Sequence, residues 1–353
     1  MVYRKIVYKI LLAALLLCPA SLAKAQHEND EGKKFNPGTF IIDHIGDTYD
    51  WHILTWNGHH VSIPLPVILY SEQSGFHAFM STKFHHDGSY KGFSVAADGA
   101  YKGKILELST GERPMLDLSI TKNVFALFVS VVVILWVFLS VAKAYKRRVN
   151  KAPKGLQSWL EPVILFVRDD IARPAIGYKY ERYMPYLLTL FFFILINNIM
   201  GLIPFFPFGA NVTGNIAVTL VMALITFVIT MYSTTKTFWV HIFNTPGVPW
   251  WLKFPIPMMQ FTEVFGIITK PFVLMIRLFA NITAGHIVPL AFFSLIFLFG
   301  QMNVFMGYGV SILSVAFVIF MTMIELLVIF IQAYVFTLLS ALYFGMACEE
   351  QHH

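Results

Sequence analysis

One arginine, Arg277, stands inside the run Lys270-Pro271-Phe272-Val273-Leu274-Met275-Ile276-Arg277-Leu278-Phe279-Ala280-Asn281-Ile282-Thr283-Ala284-Gly285-His286, with apolar residues on both sides. An arginine near the middle of a membrane helix costs about 2.5–3.5 kcal/mol on insertion scales. It cannot escape by giving up its proton, because its pKa lies above about 12. The sequence therefore holds a permanent positive charge at membrane depth.

The other polar residues of this part of the chain are few. Thr262, Glu263, Lys270, Asn281 and His286 share a segment with Arg277, and Glu325, Gln332, Tyr334, Thr337, Ser340 and Tyr343 lie in the next one. Ionisable groups inside membranes usually face water-filled cavities or partners and mark ion paths. Helix geometry sorts them. Glu263 falls within about 40° of the face of Arg277 and roughly 21 Å toward one end, while Asn281 lies one turn beyond Arg277 on nearly the same face. His286 lies about 13 Å beyond Arg277 and on the opposite side. If the two segments are antiparallel and Gln332 is level with Arg277, Glu325 lies about 10 Å toward the same end as His286. A carboxylate and an imidazole at one depth tune each other's proton affinity and can exchange protons. The expectation is two water paths, one past His286 and Glu325 and one past Glu263, with Arg277 between them. The alternative is that these residues only join helices through hydrogen bonds.

These groups need membrane helices to position them. Of 353 residues, 57% are hydrophobic and 13% charged, against roughly 25% charge in soluble domains. The formal charge of +6 comes with basic residues clustered beside a predicted span, which is topology signalling and calls for no nucleic acid. The two cysteines, Cys18 and Cys348, allow no disulfide framework and no thiolate metal site. Residues 1–25 read as a secretory signal: Arg4, Lys5 and Lys9, then the apolar core Ile10 to Leu17, then Ala23-Lys24-Ala25 before Gln26. A lipoprotein signal acylated at Cys18 competes, but Leu17 is large for such a site. Residues 26–120 are polar and rich in Gly, His and aromatics. Thr39-Phe40-Ile41-Ile42, Trp51 to Trp56 and Val61-Ser62-Ile63 read as strands, with turn signals at Asn57-Gly58, Asp87-Gly88 and Asp98-Gly99. This predicts a small β-rich extracytoplasmic domain. It carries eight of the twelve histidines (His27, His44, His52, His59, His60, His77, His85 and His86), in no ligand spacing that favours a metal over a surface role.

The rest, 121–353, reads as five membrane spans. The first is Val124 to Val141, long enough for a bilayer core of about 30 Å. Lys143, Lys146, Arg147, Arg148, Lys151 and Lys154 follow it and mark the cytoplasmic side. Leu156, Trp159, Leu160, Val163, Ile164, Val167 and Ile171 recur at helical spacing and predict an amphipathic helix on the cytoplasmic membrane face, or one packed on a soluble partner. Met184–Ile203 and Ile216–Tyr232 are the second and third spans. Ile256–Phe299 and Val310–Gly345 follow, joined by a short loop without Lys or Arg. At roughly 65 and 55 Å if continuous, they must tilt, bend or extend past the bilayer. Pro271, Gly285 and Pro289 are the candidate bend sites. The fold class expected is an all-α polytopic membrane protein with a long tilted antiparallel helix hairpin, and the C-terminus falls on the cytoplasmic side.

The stretch from Lys270 to His286, with Glu325…Gln332-Ala333-Tyr334-Val335-Phe336 and Asn197-Asn198-Ile199-Met200-Gly201-Leu202-Ile203-Pro204, resembles subunit a of F-type ATP synthases over about Val124 to Glu350. The resemblance implies a stator subunit beside the rotor c-ring, with partners in the subunit b peripheral stalk, the remaining synthase subunits and the lipid bilayer. It implies no cofactor. It puts the family's essential arginine at Arg277, the neighbouring asparagine at Asn281 and the interacting glutamine at Gln332. The proton path it implies adds His286, Glu325, Glu263, Asn197 and Tyr343. The sequence departs from many relatives in exchanging acid and imidazole between His286 and Glu325, in Val273 and Met275 where small residues are common, and in Gly201 where an acid can stand. No G-x-x-x-x-G-K-[ST] loop is present, so ATP chemistry is expected elsewhere. A secondary transporter would show internal repeats, and a haem- or quinone-binding respiratory subunit would need histidine pairs at depth; His286 alone lies there.

Overall fold

The computed structural model describes residues 35–56, 59–96, 99, 101–147, 152–203, 208–243 and 258–348. The segment read as a signal, 1–25, lies outside the described residues, as do His27, the turn at 57–58 and Asp98. Two compact units are present, one formed by residues 1–123 with 287–319 and the other by 124–286 with 320–353.

In the first unit, helix α1 spans Pro37–Ile45. The sequence suggests a strand over Thr39–Ile42; the structure makes it helical. The reason is the start signal. Asn36 accepts a hydrogen bond from Gly38 N at 2.9 Å, and Pro37 sits at the first helical position with its φ already set. These local anchors outweigh the β preference of Thr39, Ile41 and Ile42, which tertiary context readily overrides.

Strands β1 (Asp50–Trp56) and β2 (His59–Pro64) pair antiparallel. Strands β3 (Pro66–Ser71), β4 (Gly75–Met80) and β8 (Leu116–Asp117) form a sheet in the order β4-β3-β8. Helix α2 (Thr82–Asp87) ends at Gly88, whose φ of +65° suits glycine, so Asp87-Gly88 closes a helix. Strands β5 (Ser89–Tyr90), β6 (Phe93–Val95) and β7 (Ile105–Glu107) make a third sheet. Tyr49, Val67, Leu69, Phe93 and Ile105 form the core. Tyr49 Oη donates to Asp117 Oδ2 at 2.5 Å; burial, and then that bond to a carboxylate, push the phenol well above its usual range.

Helix α3 (Lys122–Arg147) starts at the end of this unit. Asp47 holds its beginning, accepting from Thr121 Oγ1 at 2.9 Å and from Asn123 N at 3.0 Å. In the second unit, α4 (Leu156–Phe166) passes through a wider π turn at Val167–Ala172 into α5 (Arg173–Ile176), and after Gly177 the chain enters α6 (Tyr180–Leu202). The apolar stripe expected on the first of these divides. Val167 and Ile171 are fully buried, while Trp159 is 83% exposed. Helices α7 (Ile216–Tyr232) and α8 (Lys236–Phe243) precede the long α9 (Met258–Met302) and α10 (Val304–Cys348). Each long helix has 45 residues, about 68 Å at 1.5 Å per residue. Helix α9 continues unbroken through Pro271, Gly285 and Pro289.

The link between the long helices is shorter than the sequence suggests: Asn303 alone joins them, and α10 begins six residues before Val310. Asn303 supports the reversal. Its N–H bonds Phe299 O, its carbonyl accepts from Gly307 N, and its side chain accepts from Phe305 N. A Cβ at Gly307 would lie 2.9 Å from Gly300 Cα, so the turn requires small residues there.

Among the described residues, four helical runs are long and apolar enough to cross a membrane: Lys122–Arg147, Leu156–Leu202, Phe261–Met302 and Val304–Cys348. Ile216–Tyr232 is a shorter apolar helix. The protein is a mostly helical, polytopic membrane protein. Its second unit is built on Leu187, Phe191 and Ile194 of α6, Leu274, Leu278 and Ile282 of α9, and Ile329, Ala333 and Phe344 of α10. Buried hydroxyls in it bond carbonyls one turn back: Thr226 to Met222, Thr230 to Thr226, Thr337 to Ala333, Ser340 to Phe336. That is how polar side chains are accommodated where water is scarce.

Gly345 of α10 lies against the backbone of α5, where an added Cβ would fall 2.0 Å from Ala175 O. Gly345→Ala therefore forces the two helices apart, at about 1–3 kcal/mol as overpacking usually costs. The thermal midpoint of the detergent-solubilised protein is expected to fall for Gly345→Ala and to hold for Gly309→Ala, where nothing lies within 4 Å.

Candidate functional site

Helix α9 has two faces around Arg277. Leu274, Met275, Leu278 and Ile282 are buried against the core, while Val273, Ile276, Arg277, Ala280, Asn281 and Ala284 are exposed. Arg277 and Asn281 thus sit one turn apart on a face that the protein leaves open, with the small Ala280 and Ala284 beside them. A flat, small-residue surface lets another helix approach closely. Met275 points into the core; of the two bulky residues noted before the arginine, Val273 alone shares the open face. Arg277 is within electrostatic reach of the Tyr343 hydroxyl on α10.

His286 and Glu325 come together. His286 Nδ1 is 4.0 Å from Glu325 Oε1, and Glu325 is only 7% exposed. Glycines make this approach possible. A Cβ on Gly285 would lie 2.9 Å from Glu325 Oε1, and a Cβ on Gly201 of α6 would lie 3.5 Å from His286 Nε2 and 3.2 Å from Ala210 O. Three helices, α6, α9 and α10, therefore converge on one imidazole and one carboxyl.

Polar groups that the spacing argument does not find gather near them. Thr213 Oγ1 donates to Asn198 Oδ1, and Asn211 Oδ1 accepts from Gly214 N at 2.9 Å. Asn197 Nδ2 donates to Phe193 O at 2.8 Å. The Asn197 Oδ1, Asn198 Nδ2, Asn211 Nδ2 and Thr283 Oγ1 atoms are buried with no protein partner. Asn197 and Asn198 are one turn before Gly201, and Thr283 one turn before His286. Buried polar atoms of this kind are costly unless hydrated. Their sequence signal is the polar string Asn211-Val212-Thr213-Gly214-Asn215 between two spans.

The remaining predicted residues are more dispersed. Gln332 is buried in α10, two turns from Glu325. Glu263 is half-buried near the start of α9. Tyr343 lies under Lys270, whose Nζ is 5.5 Å from the ring centroid. Lys270, Tyr343, Thr226 and Thr230 line a cavity of about 20 Å³, room for one water. Among the described residues no three His, Cys, Asp or Glu side chains are grouped as metal ligands. The side chains of His52, His59, His60, His85 and His86 lie outside that description.

A family profile described as "ATP synthase A chain" matches residues 124–345. A second, described only as a domain of unknown function, matches residues 40–124. A curated protein of Chloroherpeton thalassium named "ATP synthase subunit a" is 41% identical over 244 residues, 67% of this chain and 69% of its own. One of Chlorobaculum tepidum, "ATP synthase subunit a 2", is 43% identical over 238 residues, 65% of this chain and 64% of its own. One of Myxococcus xanthus, "ATP synthase subunit a", is 42% identical over 246 residues, 67% of this chain and 76% of its own.

Proposed function

We propose, from the premise that this chain belongs to the ATP synthase A chain family, that Arg277 is the fixed charge that couples proton movement to rotor rotation. The chain is the non-catalytic membrane subunit of ATP synthase and serves proton transport; ATP chemistry belongs to other subunits. Membership of that family removes the secondary transporter and the respiratory subunit as readings. The chain works in the membrane with the c-ring, subunit b and the other synthase subunits.

The observation that carries the reading is that α9 presents Arg277 and Asn281 on its open face and, further along the helix, turns His286 to the buried Glu325. In the proposed cycle a proton enters along the track of Asn197, Asn198 and Thr213, passes the His286–Glu325 couple and loads a rotor carboxylate. The ring turns, and the carboxylate releases its proton on the other side along a path that includes Glu263 and Tyr343. Gln332 supports the helix pair opposite Arg277. As the emptied carboxylate passes Arg277, opposite charges about 4 Å apart attract by about 4 kcal/mol at an effective dielectric of 20. That favours the ionised form and repels a proton trying to cross directly.

The topology that suits this cycle has five spans, counting the 17-residue α7. A cleaved signal over 1–25 would export the domain of 26–120 to the periplasm of a bacterial inner membrane. Lys143, Lys146 and Arg147 at the end of α3 support a cytoplasmic location for that end, and the C-terminus follows on the same side.

Arg277→Ala is expected to abolish ATP-driven proton uptake by inverted membrane vesicles while the subunit still assembles. Uptake at the normal rate, measured by quenching of a pH-sensitive dye, contradicts the proposal. For the couple, His286→Glu together with Glu325→His is expected to retain more ATP-driven uptake than either single change. A double variant no better than the worse single one shows that the two side chains do not act together.

A further inference from the structure

The sheet β4-β3-β8 is apolar on both faces, and only one of them is covered. Val67, Leu69 and Ser71 of β3 point into the domain core. On the other face Tyr70 lies between Phe76 and Leu116, and Ile68 between Ala78 and Leu118. Phe76 is 66% and Leu118 65% exposed, and Tyr70, Met80 and Leu116 are also exposed. An antiparallel sheet with one face in water normally alternates apolar and polar residues. Here the alternation is missing, and a contiguous apolar patch of this kind marks an interaction surface.

The chain on either side indicates what covers it. Leu118 is four residues from Lys122, the first residue of α3, so it lies within about 14 Å of the start of that span. The connection has no slack: Leu118 N bonds Ile68 O, Ile120 N bonds Pro66 O, and Lys122 N bonds Thr48 O, each at 2.9–3.0 Å. A second tie lies at the far end of α9, where Phe35 and Phe40 meet Phe297 at ring separations of 5.4 and 6.0 Å and Phe35 N donates to Gln301. The domain is thus fastened to two membrane helices at their ends, and a headgroup layer extends about 5–8 Å beyond the hydrocarbon on each side.

We propose that this sheet face is a monotopic lipid anchor, seated in the headgroup layer of the leaflet on the domain's own side. Tyr70 and Phe76 take the place that aromatic residues usually hold at that boundary. The proposal rests on the membrane topology given above.

The test places an environment-sensitive fluorophore at Phe76→Cys or Leu118→Cys, with Cys18→Ser and Cys348→Ser. The labelled protein is studied in the whole synthase, reconstituted into phosphatidylcholine vesicles. Both positions are expected to lose most of their emission to spin-labelled lipid and to resist iodide, equally at low and high salt. Emission open to iodide overturns the proposal. Emission shielded from both quenchers overturns it too, since protein then covers the face. ATP-driven proton uptake by the same vesicles reports the coupling role separately, so a failed anchor and a failed coupling reading are told apart.

Discussion

A guanidinium that cannot lose its proton must be held where lipid would otherwise surround it. Most of the second unit follows from that constraint. The charge has to sit on a helix long enough to be anchored above and below, and α9 has 45 residues. Its apolar flank must bury deeply enough to fix the helix rotation, which Leu274, Leu278 and Ile282 do, each with at most 3% exposure. The opposite flank must stay open to whatever neutralises the charge. Helices in a bilayer associate through close van der Waals packing, and these three side chains supply it within the core of the second unit. Packing therefore decides the orientation, and the charge follows it.

Glycine has a comparable role beside His286. Bringing a histidine and a glutamate from antiparallel helices to 4.0 Å inside a packed core requires removing side chains between them. Gly285 does so on the helix of His286, and Gly201 does so from α6. The polar atoms of Asn197, Asn198, Asn211 and Thr283 that lack protein partners belong to residues within about one turn, along the chain, of Gly201, Ala210 or His286. Buried polar groups without partners are costly unless water reaches them. The arginine thus depends on the tightly packed flank of its helix, and the couple on two glycines that let its side chains come close.

Much of this was legible in the residues. The 3.6-residue repeat separates Arg277 and Asn281 from His286, and counting along antiparallel helices brings Glu325 to the depth of His286. The apolar helices were readable from hydropathy, although α3 ends six residues after the expected limit and α10 starts six residues before it. What escaped were features that depend on one local competition or on a third element. Thr39–Ile42 has strand-like residues, but the Asn36 cap and Pro37 settle it as helix. The short loop expected between the last two segments shrinks further, to Asn303 alone, since the close contact of Gly300 and Gly307 is invisible without the partner helix. The contribution of Gly201 belongs to the same class: a missing side chain leaves no periodic signal.

The central claim is that Arg277 faces a moving carboxylate rather than lipid. The most direct measurement is the separation between the Arg277 guanidinium and the nearest rotor carboxylate in a structure of the assembled complex in a membrane. The account predicts one carboxylate within about 4–6 Å, the range over which opposite charges bias protonation. A guanidinium turned toward acyl chains, with every rotor carboxylate farther than that, would contradict it.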